Sequence, residues 1–233
     1  MARLKRLCAY ICVFAVILCG CGAGGKIGEK KTADENDRVC AFFKKYFDGG
    51  KYLIDFKSWE ESTGESMTCT MAVDGENYYL QYETADGKQT FLVRDGKSYG
   101  ILDDLKSYVV EDADKNEQRQ EDFNSENVLG KTYEVCREKI GDDTYDCEKF
   151  TLSNGEESHY CFDKAGNLKY IITKMGDKKI YLEFLSIDTS VPASYFEIPE
   201  GYQKIKPLPK LHIVREWFLF ANSLTHKIFN IFS

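Results

Sequence analysis

Between residues 52 and 186 the chain alternates apolar and polar residues in short runs, and most runs end at a turn that contains glycine. Alternation with a period of two is typical of β-strands that have one dry and one wet face. Pairs such as Asp-Gly and Asn-Gly favour tight hairpins, so consecutive runs are predicted to pair as an antiparallel meander. The strands predicted, about 11 in all, cover residues 52–58, 66–73, 76–84, 88–94, 97–102, 106–110, 131–140, 143–152, 157–163, 167–174 and 178–186.

One amphipathic helix precedes the strands. It is predicted to begin with Asn36 as its N-cap and to end near Phe47, before two glycines. Its apolar side chains recur at the spacing of a single helix face. A sheet with one dry face must curl around that face or stack on another layer. The predicted fold class is therefore α+β but mainly β, with a strongly curved antiparallel sheet wrapped around this N-terminal helix.

The dry face of the helix and sheet is the candidate binding surface. Two interpretations are open: a solid core, or a pocket for a lipid or another apolar ligand lined by aromatic residues and adaptable methionines. The residues predicted to line such a cavity are Phe43, Phe56, Met67, Met71, Leu80, Tyr82, Phe91, Phe150, Phe162, Leu182 and Phe184. The same alternation also assigns to the dry face Tyr99, Ile101, Tyr170 and Ile172.

The N-terminus has the features of an export signal. Basic residues at the start precede an apolar run from residue 7 to residue 18, which is too short to span a bilayer of about 30 Å but fits the core of a signal peptide. The run ends in Leu18-Cys19-Gly20-Cys21, which resembles the lipobox of bacterial lipoproteins. That resemblance implies lipidation of Cys21 and anchoring to the outer face of a bacterial membrane. An ordinary secretory signal with an incidental cysteine is the alternative.

Composition divides the chain further. A formal net charge of -7, with 43% hydrophobic and 30% charged residues, excludes a disordered chain and a multi-span membrane protein. The acidic balance also argues against nucleic acid as a partner. We predict a signal peptide at 1–20, a flexible tether at 21–35, a folded domain at 36–205 and a basic amphipathic helix or tail at 206–233. The tail is either an interfacial membrane helix or a segment docked on the domain.

Together, the lipobox, the helix and the meander resemble the LolA/LolB-like superfamily of bacterial lipoprotein carriers, which includes related mycobacterial lipid-binding lipoproteins. The closing segment at residues 191–202 (VPASYFEIPEGY) and the hairpin at residues 162–168 (FDKAGNL) also resemble those of the superfamily. The resemblance implies an unclosed β-barrel whose concave face is covered by helix and accepts an acyl chain.

The cysteines that remain after the expected signal cleavage are too few and scattered for a disulfide-built fold. A two-residue turn at Gly141-Asp142 places Cys136 opposite Cys147, and a three-residue loop at 153–155 places Cys161 opposite Cys147. Cys147 can bond to only one of them, and the tighter turn favours a disulfide between Cys136 and Cys147. Free thiols are the alternative.

Catalytic signals are few. His159 is the one histidine of the predicted domain and is expected on the wet face, and the chain lacks the common hydrolase, redox and phosphate-binding motifs. Acidic pairs such as Asp142-Asp143 lack the spacing of calcium loops. We therefore expect no catalytic residues, no metal, no cofactor and no enzymatic activity. The expected function is a membrane-anchored extracytoplasmic lipoprotein that binds a lipid or another apolar ligand. The alternative is a non-catalytic envelope interaction module that meets a protein partner through its acidic surface.

Overall fold

The computed structural model describes residues 25–85, 87–113, 124–152 and 154–206. These residues form one α-helix, α1 (Arg38–Tyr46), and one sheet of 13 strands. The strands are β1 (Lys30–Thr32), β2 (Lys51–Glu60), β3 (Ser66–Asp74), β4 (Asn77–Thr84), β5 (Gly87–Arg94), β6 (Lys97–Leu102), β7 (Ser107–Asp112), β8 (Thr132–Ile140), β9 (Asp143–Thr151), β10 (Glu157–Phe162), β11 (Leu168–Met175), β12 (Lys178–Asp188) and β13 (Gln203–Lys204).

The sheet consists of two meanders joined side by side. Strands β2 to β7 pair in chain order, as do β8 to β12, and the two halves meet where β12 pairs with β2. All pairs are antiparallel except β13, which pairs with β7 in parallel. The edges are β1 and β13, so the curved sheet is unclosed. The count of 13 corrects the expected 11, because these two short edge strands lie outside the alternating region.

The predicted runs each correspond to one strand from β2 to β12. Gly141 has a φ of 61°, which allows the tight turn that sets the β8–β9 register. The helix is also present, but it begins at Arg38 with Asp37, not Asn36, at the N-cap. The Asp37 carboxylate accepts a hydrogen bond from the Tyr133 hydroxyl at 2.7 Å. No helix in the described part of the chain is both long and apolar enough to cross a membrane.

The main core lies between α1 and one face of the sheet, here called the inner face. Val39, Cys40 and Phe43 of α1 are buried there against apolar side chains from both meanders. A helix of nine residues is marginal on its own, so this packing stabilises α1. Each buried aliphatic or aromatic side chain contributes about 1.5–3 kcal/mol of burial free energy.

The opposite, outer face carries two smaller apolar clusters, and these explain four wrong face assignments. Tyr170 and Ile172 lie in an outer cluster beside the stacked rings of Trp59 and Tyr181. Both faces of the sheet are apolar there, so the alternation of apolar and polar residues no longer identifies the inner face. On β6, Gly100 takes the inner position opposite Phe91, so the apolar residues beside that glycine face outward. The residues that alternation placed on the inner face in error are Tyr99, Ile101, Tyr170 and Ile172.

Candidate functional site

All the residues predicted to line a cavity lie in one apolar cluster on the inner face. Met67 is partly buried, and each of the others is at most 6% exposed. Ring contacts such as Phe43 to Tyr160, at 6.0 Å between centroids, join the helix to the sheet. The eleven predicted lining residues therefore all lie on the inner face, where their side chains pack against one another and against α1.

A groove of about 460 Å³ lies instead along one side of α1. Its walls are the exposed flank of the helix, the turn between β10 and β11, and the end of β12. Only Phe184 among the predicted lining residues contributes to it. Its apolar lining consists of Ala41, Phe42, Tyr46, Leu168, Phe184, Leu185 and Ile187.

Two irregularities in the sheet shape this groove. The β12–β2 register shifts between Phe184 and Ser186, so that Leu185 is an extra residue and is 51% exposed. The β10–β11 register shifts at Phe162, which pairs with Leu168. Bulges re-aim side chains and are frequent beside functional sites. Neither bulge was predicted from the sequence, although the adjacent apolar pair Phe184-Leu185 interrupts the alternation.

The charged side chains at the rim of the groove are mainly basic. The Arg38 guanidinium lies 4.2 Å from the centre of the Phe162 ring and binds Glu148 at 3.0 Å. Lys169 contacts Glu183 at 2.9 Å, and Lys45 lies over the Tyr46 ring at 4.6 Å. The remaining polar side chains of the groove are Asn36, Asp163, Asn167 and Ser186.

Glu148 fixes the N-terminal end of α1 above the inner face. This carboxylate is 3% exposed and accepts hydrogen bonds from the Arg38 side chain and from the Val39 backbone N–H at 3.1 Å. Burial raises the pKa of Glu148, and Arg38 opposes that change. The other end of α1 is held by Asp48, which accepts hydrogen bonds from the backbone and side chain of Ser125. Both ends of the helix are thus tied to residues distant in the chain.

Two hydroxyl groups on the inner face of β10 are buried without a hydrogen-bond partner among the described residues: Tyr160 Oη and Ser158 Oγ. Both residues are fully buried. A buried polar group that lacks a partner costs about 1–3 kcal/mol. These atoms mark a place where the interior would be stabilised by a further hydrogen-bonding group.

The cysteines on the outer face correct the favoured disulfide. Both predicted registers are confirmed, since Cys147 lies opposite Cys136 and also opposite Cys161. The bond, however, joins Cys147 to Cys161, and Cys136 is a free thiol. Turn length sets which residues face each other, but it does not decide which of two facing residues bonds. Cys40 and Cys69 are buried free thiols on the inner side.

His159 lies on the outer face as expected, but it is buried rather than solvated. Its Nδ1 lies 2.7 Å from Glu138, and its Nε2 lies 3.2 Å from Glu157. Lys174 and Lys179 also contact Glu138. The hydrogen bond from His159 lowers the pKa of Glu138 to about 2, against the opposing effect of burial. These contacts form a network of hydrogen bonds and ion pairs, and within the described residues no group of three or more His, Cys, Asp or Glu is arranged to hold a metal.

Several predictions lie outside the described residues. These are the signal peptide at 1–20, the lipidation site at Cys21, the first residues of the tether, and the tail from residue 207 onward.

No family model matches the chain, and no curated protein matches it by sequence. Its structural neighbours include LprF from Mycobacterium bovis (TM-score 0.45, 11% identity, 73% of this chain and 99% of that one). They also include an uncharacterised conserved protein from Thermus thermophilus (0.43, 6%, 74% and 99%) and MucB (0.38, 10%, 70% and 60%).

Proposed function

We propose that this protein is a membrane-anchored extracytoplasmic lipoprotein that binds a lipid or another amphipathic apolar ligand, without catalysis. Its curved sheet acts as a half-barrel around α1, and the ligand lies in the groove beside the helix rather than between the helix and the sheet. The lipid on Cys21 holds the domain at the membrane from which such ligands come.

The groove carries this proposal. Its volume of about 460 Å³ lies within the range of ~300–1,000 Å³ that is usual for small-molecule sites. Its lining combines a mostly apolar wall with a few polar groups at one side, which is the arrangement that binds and orients an amphipathic molecule. Leu185 exposes an apolar side chain to water here, and covering it with an acyl chain is favourable.

The rim indicates an acidic head group. Three basic side chains, Arg38, Lys45 and Lys169, line the groove with one acidic side chain, Asp163. Arg38 and Lys169 are already paired with Glu148 and Glu183, which leaves Lys45 as the cation that a ligand meets first. Lys45 contacts an aromatic ring, so a ligand anion can approach it without displacing an acidic side chain. A fatty acid or an anionic phospholipid meets both requirements, because its charged end faces the rim and its chain covers Leu185 and Phe42.

A fluorescent fatty acid tests the proposal, titrated into a form of the chain that starts at residue 22. We expect saturable, displaceable binding at micromolar concentration, and Leu185→Glu is expected to weaken it by about tenfold or more, since burying a leucine contributes about 1.5–3 kcal/mol. Leu105→Glu is the matched control, because Leu105 is 67% exposed in the turn between β6 and β7, outside the groove. Absence of displaceable binding, or equal loss in both variants, would contradict the proposal.

The burial of the inner-face side chains favours a second candidate, an envelope interaction module with a solid core. Tight packing of the inner-face residues leaves the acidic outer surface as the part that meets a partner. In that case the fatty acid does not bind, and charge reversal on the surface, not in the groove, changes association with envelope proteins.

A further inference from the structure

We propose that Cys136, Cys147 and Cys161 form an intramolecular thiol–disulfide exchange site. In this site the disulfide moves between neighbouring strands while Cys147 is always bonded. The three cysteines lie on β8, β9 and β10, with Cys147 directly opposite each of the other two. Opposed residues in a sheet point to the same face, so the free thiol lies beside an existing disulfide.

The spacing of the strands allows both bonds. The bridged pair has a Cα–Cα distance of 4.1 Å, the close spacing of a non-hydrogen-bonded antiparallel pair. The N–H and C=O of Cys147 then point to β8, which makes its pair with Cys136 a hydrogen-bonded one, at about 5.5 Å between Cα atoms. That distance lies within the ~4.4–6.8 Å found for disulfides. A Cys136–Cys147 bond is therefore compatible with the register in which β8 and β9 already pair.

The exchange is one displacement. The thiolate of Cys136 attacks Sγ of Cys147, and a Cys136–Cys147 bond forms as the Cys147–Cys161 bond breaks. Cys161 leaves as a thiolate and takes up the proton that Cys136 lost. One disulfide and one thiol are present before and after, so no oxidant or reductant is consumed. The covalent link moves from β9–β10 to β8–β9, and β10 is then held by backbone hydrogen bonds and packing alone.

The environment of Cys136 makes the exchange slow at neutral pH and faster in base. Burial and the nearby Glu138 carboxylate raise the pKa of Cys136 to about 11, although Lys149 and Lys174 oppose them. His159 Nδ1 lies 3.8 Å from the sulfur. The charged and titratable groups that face this thiol or its neighbours are Glu134 and Glu138 on β8, Lys149 and Tyr145 on β9, Glu157 and His159 on β10, Lys174 and Tyr170 on β11, and Lys179 and Tyr181 on β12. Below its pKa, the thiolate fraction rises about tenfold per pH unit.

Tryptic mapping of the full chain tests the proposal, because each cysteine falls in a different peptide. These peptides are residues 132–137, 140–149 and 150–164. The folded protein is incubated over a pH series, quenched in acid to stop thiolate attack, and alkylated in acidic denaturant. We expect the alkyl label on both Cys136 and Cys161 and never on Cys147, with an initial rate that rises about tenfold per pH unit. Label on Cys136 alone, at every time and pH, overturns the proposal.

Variants separate the exchange from scrambling between molecules and from misfolding. Cys161→Ser is expected to form the Cys136–Cys147 bond in air, whereas Cys147→Ser forms no bond, because its flanking cysteines are two strands, or roughly 10 Å, apart. Cys69→Ser, on the inner face, should leave the exchange unchanged. If Cys161→Ser keeps two free thiols while its circular dichroism is that of the native fold, or if the exchange rate increases with protein concentration, the site does not act as proposed.

Discussion

The hydroxyl group of Tyr160 is buried in the interior of the protein and makes no hydrogen bond to another described residue. The Tyr160 ring packs against Phe43 and Phe150, but its Oη is buried without a partner among the described residues. Replacing it by phenylalanine keeps the ring contacts and removes the buried polar atom. We therefore expect Tyr160→Phe to raise the free energy of unfolding by about 1 kcal/mol in urea denaturation.

Tyr133→Phe is the matched control for that change. Its hydroxyl donates to Asp37 at 2.7 Å, so the same chemical deletion removes a hydrogen bond. This variant should lose about 1–2 kcal/mol. A Tyr160→Phe protein that is less stable than wild type would show that its hydroxyl has a partner, such as a bound water.

Glu138 gives the fold part of its resistance to acid. Because the hydrogen bond from His159 lowers the Glu138 pKa to about 2 in the folded protein, the unfolded chain takes up this proton first as the pH falls. The stabilisation is present above the unfolded pKa of about 4.3 and is lost as the pH falls towards 2. Glu138→Gln should cost roughly 2–3 kcal/mol at neutral pH and nothing near pH 2.

Asp74→Asn serves as the comparison for Glu138. Asp74 pairs with Lys51 at 2.7 Å, but both side chains are more than 40% exposed. Exposed pairs contribute about 0–1 kcal/mol, so its unfolding curve should change little across the same pH range. Equal pH dependence in the two variants would show that the buried network around Glu138 is not the cause.

Two neighbouring phenylalanines of α1 lie in different surroundings, one in the core and one in the groove. Phe43 is 2% exposed and packs on Phe47 and Tyr160, whereas Phe42 is half-buried and lines the groove next to Phe184. Phe43→Ala should lower the free energy of unfolding by about 3–5 kcal/mol. Phe42→Ala should cost less than half of that but weaken fatty acid binding, so urea unfolding and ligand titration rank the two variants in opposite order.

The strands, most hairpin partners and most inner-face residues were predictable because they depend on local pattern. Turn chemistry at Gly141 set the register that places Cys136 opposite Cys147. The pairing of β12 with β2 was not predictable, since it joins residues far apart in the chain and no local signal specifies it. The groove was missed for the same reason, because it needs the bulge at Leu185 and the helix flank at Phe42 together.

The whole molecule has an uneven distribution of charge that bears on how it meets a membrane. Its net charge is -7, yet the segment from residue 206 onward is basic and carries Trp217, Phe220 and Leu224 at helical spacing. A basic amphipathic helix binds anionic membranes through buried apolar area and electrostatic attraction. A second membrane contact of this kind would hold the groove close to the lipid surface, whereas a single tether leaves the domain free to rotate.

Liposome flotation measures this second contact. Two forms that start at residue 22, with and without residues 206–233, both lack the expected lipid on Cys21 and differ only in the tail. We expect the longer form to float with anionic vesicles and to be released by salt. At 0.1 M ionic strength, screening already limits the electrostatic attraction to about 10 Å from the membrane surface, and more salt shortens that distance. Neutral vesicles are the control. If the longer form instead remains in the bottom fraction and its tail is protected from protease, the tail is docked on the domain and not on the membrane.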